Sequence, residues 1–152
     1  MSYSTERVET GYVASVARFK QSKNMSFRNL VFRRGVAPTD IDFSFDLNGN
    51  LFFQGEGKLK GKRMEKGQKS HLENLNKRLT MGGAISYCIL FNHTINDTSE
   101  IIYVDDCIVE SIYTYDLQKK KGEWKKTRKE ITVLECIKQI ERYCENKLNM
   151  KL

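Results

Sequence analysis

The sequence predicts a mixed α/β domain, a central mixed β-sheet flanked by helices, and three stretches carry that reading. Residues 40–47 alternate strictly between polar and apolar, Asn48-Gly49-Asn50 supplies a turn, and residues 51–58 run back, which is a β-hairpin pattern. Residues 67–79 place Leu72, Leu75 and Leu79 at helical spacing, and residues 84–91 then form a continuous apolar run suited to a buried strand. Residues 130–148 carry Val133, Leu134, Ile137, Ile140 and Tyr143, an apolar stripe for a closing helix.

The other elements follow in order. Residues 5–20 set Val8, Tyr12, Val13, Val16 and Phe19 at helical spacing behind Thr5, a suitable cap. Residues 27–34 are apolar and basic without a clear period. Residues 101–104 and 108–115 read as two further strands. There are no repeats and no linker, and the single proline is Pro38. At 152 residues the chain is expected to form one domain over 1–152, within the usual roughly 100–200 residues.

Composition narrows the classes. The apolar fraction is 39% and the mean hydropathy −0.55, and no apolar run approaches the ~20 residues of a spanning helix, so no membrane partner is expected. The first residues carry no apolar leader, and Cys88, Cys107, Cys136 and Cys144 form no CxxC pair. A cytoplasmic chain, in a bacterium or a phage-infected host cell, with reduced thiols and no zinc is therefore expected. The net charge of +7 favours polyanionic partners, nucleic acid first. The excess falls into two runs. One is Lys58, Lys60, Lys62, Arg63, Lys66 and Lys69, cations suited to a phosphate backbone. The other spans 119–129 around Trp124, and is equally well read as a solvated loop.

Chemistry concentrates on the hairpin. With the turn centred on Gly49, position 42 opposes 56 and position 40 opposes 58. One face then carries Ile41, Phe43, Phe45, Leu47, Leu51 and Phe53. The other carries Asp40, Asp42, Glu56 and Lys58. Gly55 and Gly57 fall on the apolar face, where a helix could pack closely. Opposed carboxylates repel unless a cation lies between them, and a hard divalent ion such as Mg²⁺ prefers oxygen ligands. The pattern alone fits a solvated sheet face with cross-strand ion pairs equally well.

Pro38-Thr39-Asp40-Ile41-Asp42, the hairpin, Glu56-Gly57-Lys58, and Lys66-Gly67-Gln68 opening a helix resemble the signature of the PD-(D/E)XK nuclease superfamily, most closely its small phage-type and Holliday-junction-resolvase-like members. The resemblance covers residues 5–95 and implies a restriction-endonuclease-like core. It implies a DNA endonuclease using Mg²⁺ or Mn²⁺, with selectivity for branched DNA and a homodimer to match a two-fold junction. By the same resemblance Asp42, Glu56 and the carbonyl of Gly57 would hold the metal. Lys58 would position water, and Gln68 would reach the site. Two aspartates compete for the first position, Asp40 and Asp42, and Glu6 or Glu9 could add an acid from the first helix. His93 reads as a loop residue and His71 as exposed. A nuclease-like fold that binds nucleic acid or a host protein without cutting is the alternative.

Overall fold

The computed structural model describes residues 41–97 and 100–150, together with Asn29. These residues, Asn29 apart, belong to one compact unit, Thr39–Leu152. The helix expected over 5–20, the stretch 27–34 and Pro38 lie outside the described residues. In chain order the elements are β1 (Phe43–Leu47), β2 (Leu51–Leu59), α1 (Lys66–Met81), β3 (Ile85–His93), a 3₁₀ turn (Val104–Asp106), β4 (Ile108–Asp116), β5 (Lys121–Lys126) and α2 (Val133–Leu148). Among the described residues the strands form one five-stranded mixed sheet in the order β1-β2-β3-β4-β5. Only β2 and β3 pair in parallel.

The hairpin forms for local reasons. Asn48 and Gly49 both adopt left-handed backbone, at φ 56° and 72°, which asparagine and glycine tolerate best. The Asp46 carboxylate accepts from the Gly49 N–H at 2.7 Å and holds the turn. The register then runs from Leu47↔Leu51 to Phe43↔Gly55, as the alternation predicts. A parallel neighbour for β2 needs a crossover connection, and α1 is that connection. At the far end of the chain α2 starts on a capping box in which Thr132 and Glu135 satisfy each other's N–H groups.

The two helices cover opposite faces. Side chains alternate along β3, so Ile89 and Phe91 point one way and Cys88 the other. On the first face Phe53, Ile89, Phe91 and Val109 pack with Val133 and Cys136 of α2. On the second, Leu72 of α1 packs with Cys88 and Tyr113, and Trp124 and Met64 close the cluster. The Trp124 indole N–H donates to Glu73 of α1 at 2.8 Å, tying the helix to β5. Asn76, fully buried under α1, accepts from the Ser86 hydroxyl and donates to the Leu72 carbonyl at 2.8 Å.

Three expectations change. Residues 101–103 form no strand. Ile101 and Tyr103 are 57% and 53% exposed, because among the described residues this short apolar run has no partner strand, and it passes into the 3₁₀ turn. The second basic run is not a loop. Its residues Lys121–Lys126 are β5, an antiparallel edge strand whose Trp124 pairs with Tyr113 and supplies the buried contact. Gly55 and Gly57 face aromatic rings rather than a helix. A Cβ at Gly55 would overlap the Phe43 ring, and one at Gly57 would lie 2.6 Å from the Phe91 ring. Those rings stack on each other at 5.8 Å between centroids.

Gly55→Ala must therefore displace the Phe43 ring from the hairpin. The expected loss is about 1–3 kcal/mol, the usual cost of overpacking, read as a lower urea midpoint. An unchanged midpoint would show that the ring moves without cost.

Candidate active site

Gln54, Glu56 and Lys58 project from β2 onto the face that α1 covers. Glu56 is 3% exposed, an uncommon place for a carboxylate. Its Oε1 accepts from the Lys58 ammonium at 2.8 Å and from the Gln68 amide at 2.5 Å. Gln68 lies in the first turn of α1, and the crossover brings that turn over the end of β2. Glu56 Oε2 is buried with no hydrogen-bond partner among the described residues. Burial pushes the Glu56 carboxyl above its ordinary value of 4.5. The hydrogen bond from Lys58 works against that shift, and the negative charge of Asp42 adds to it.

Asp42 sits one residue ahead of β1, at the position the register sets opposite Glu56. Its Oδ2 accepts from the Gly57 N–H at 2.6 Å, so a side chain continues the ladder where the strand has ended. Gly57 permits this approach. A Cβ there would meet Asp42 Oδ2 at 3.2 Å as well as the Phe91 ring. The Asp42 carboxylate therefore lies on the Phe91 side of β2, and Glu56 lies on the α1 side. Asp42 and Gly57 line a cleft of about 350 Å³ with Phe91, His93, Ile102 and Val104.

The structure thus joins Glu56, Lys58 and Gln68 by direct bonds and brings Asp42 to the backbone of Gly57, between Glu56 and Lys58. Lys60, Lys62, Arg63, Lys66 and Lys69 are all exposed, on the segment leaving β2 and on the first turn of α1. His71 is exposed, while Asp40, Glu6 and Glu9 lie outside the described residues. His93 is the last residue of β3 rather than a loop residue. It lines the cleft beside Asp42, and its Nδ1 is buried without a partner. The signal was present in the sequence, since the apolar run of β3 needs only two more residues to reach it.

Cys88 lies next to this network, with its thiol pushed up to about 12 by burial and by the charge of Glu56, so it is no nucleophile at neutral pH. Among the described residues no group of three or more His, Cys, Asp or Glu side chains is placed to hold a metal ion. An ion here would rest chiefly on Glu56 Oε2, since the Asp42 carboxylate lies on the other side of β2. No protein-family model, curated protein or solved structure matches the chain.

The raised Glu56 carboxyl sets a pH signature. The folded state favours the protonated acid, so this stabilisation is complete below about 4.5 and is lost as pH rises through the folded-state value. Glu56→Gln removes the charge and keeps the shape. Its Tm is expected to exceed wild type at pH 7–8, by a margin that shrinks as pH falls towards the carboxylate range. Thermal unfolding across pH measures this, and a Tm below wild type at neutral pH would contradict it.

Proposed function

We propose that the chain is a metal-dependent DNA endonuclease with a restriction-endonuclease-like core, acting on branched DNA. The observation that carries this reading is Glu56, a buried carboxylate with one oxygen held by Lys58 and Gln68 and the other without a partner. A protein that needed only a stable sheet would place an apolar residue there, because a buried polar atom without a partner costs about 1–3 kcal/mol.

A hard divalent cation, Mg²⁺ or Mn²⁺, would take Glu56 Oε2 as its ligand, with Asp42 on the other side of β2 as a supporting charge. Glu56 offers a buried oxygen acceptor, Asp42 adds negative charge close enough to raise the Glu56 carboxyl, and the Gly57 carbonyl is the neighbouring backbone oxygen. Such an ion, when bound, supplies Lewis-acid stabilisation of a phosphate and lowers the pKa of water. The chain's own groups do the rest. Gln68 fixes the orientation of the Glu56 carboxylate through its amide. The Lys58 ammonium, with its side chain 23% exposed, sits where it can meet the negative charge that builds on the phosphate oxygens during attack. In hydrolysis the water oxygen bonds to phosphorus, the bridging P–O bond breaks, and the leaving oxygen takes a proton. The exposed Lys60, Lys62, Arg63, Lys66 and Lys69 would hold the DNA backbone beside the site. Selectivity for branched DNA and assembly as a homodimer rest on the resemblance stated above.

Titration with Mn²⁺ is expected to show binding in wild type, none in Glu56→Ala and weaker binding in Asp42→Ala. Lys58→Met should keep the metal and cut the cleavage rate by about two to three orders of magnitude. The proposal fails if wild-type protein binds no divalent ion and leaves branched, linear and single-stranded DNA intact with Mg²⁺ and Mn²⁺.

A further inference from the structure

The edge strand β5 extends the candidate site across the sheet. Cross-strand partners run in an unbroken row from Glu56 to Leu90, from Leu90 to Ser111, and from Ser111 to Lys126. Directly paired residues share a face, so Lys126 stands on the face that carries Glu56 and Lys58. The adjacent row, Gln54, Cys88, Tyr113 and Trp124, lies beneath Leu72 of α1, on that same face. Three strand spacings separate Glu56 from Lys126, about 14 Å at roughly 4.8 Å each.

The cations at this end of β5 are uncompensated. Lys126 and Arg128 are exposed and enter no salt bridge among the described residues, whereas Lys125 is partnered by Glu123 at 3.8 Å. Glu110, the acid nearest along β4, sits at the register shift between β3 and β4 and enters no salt bridge among the described residues. The backbone at this point is fixed: the Thr127 N–H donates to the Glu110 carbonyl at 3.4 Å, and its hydroxyl to the Val109 carbonyl at 3.2 Å. Lys126, beside this fixed backbone, thus stands in line with the carboxylate across Leu90 and Ser111, and Arg128 follows two residues beyond the end of the strand. At about 3.4 Å of helix axis per nucleotide of one strand, 14 Å along a duplex axis corresponds to about four nucleotides.

We propose that Lys126 and Arg128 form a second contact to the DNA backbone, about four nucleotides from the position held at Glu56 and Lys58. This inference rests on the nuclease reading and specifies how the substrate lies, across the strands from β2 to β5. The Lys-rich tip of the same hairpin, at residues 117–120, is at the other end of β5 and takes no part.

The test is equilibrium binding of a labelled DNA duplex in chelator, where nothing is cut, as a function of salt. Lys126→Gln with Arg128→Gln should flatten the slope of log K against log salt by about 1.8, at roughly 0.9 for each phosphate that is no longer neutralised. Lys119→Gln with Lys121→Gln, at the far end, should leave the slope as in wild type. An unchanged slope in the first pair, or an equal change in the second, overturns the inference while the nuclease reading stands. Failure of the wild-type chain to bind duplex, branched or single-stranded DNA at low salt would remove that reading and this inference with it.

Discussion

Keeping the Glu56 carboxylate under a helix is the constraint around which the described unit is arranged. A carboxylate at that depth costs stability unless its oxygens are met. The chain meets one oxygen twice. Lys58 comes from the same strand, two residues on and so on the same face. Gln68 comes from the first turn of α1. Both partners depend on β2 being an interior strand, with an antiparallel hairpin on one side and a parallel crossover on the other. A slip of one residue would turn Glu56 onto the aromatic face and Gly57 towards α1.

The glycine between the acid and the lysine belongs to the same arrangement. On its side of the sheet, the Phe91 ring and the Asp42 carboxylate occupy the space that a side chain at Gly57 would need. One strand therefore presents a buried acid on one face and bare backbone on the other. The second acid reaches that backbone from the end of β1. Side-chain alternation alone would place both acids on a single face. The departure arises because Asp42 precedes the strand and takes a backbone donor, the Gly57 N–H, that β1 no longer reaches.

Much of this was legible in the sequence where a period was strong. The hairpin register followed from strict alternation and a turn rich in asparagine and glycine, and it set 42 against 56. The helices followed from Leu72 and from the Val133 to Tyr143 stripe. The burial of Glu56 was not legible, because alternation shows which residues share a face and leaves open which face is covered. Strand β5 was hidden because Lys121-Gly122-Glu123-Trp124-Lys125-Lys126 has a single apolar anchor in six residues, and only the contacts of Trp124 with Tyr113 and Glu73 reveal it. The apolar run at 101–104 misled for the opposite reason: hydrophobicity without a neighbouring ladder produces no strand. The nearness of His93 to Asp42 required the parallel pairing of β2 and β3, a long-range fact with no local signal.

Trp124 is the single tryptophan of the chain. It lies between Tyr113 and α1, hydrogen-bonded to Glu73, two residues from Lys126 along β5. The intrinsic indole emission of this protein therefore has one source, at the seam where the helix that carries Gln68 meets the basic edge of the sheet. Its wavelength and quenching report the seating of that helix without any added label.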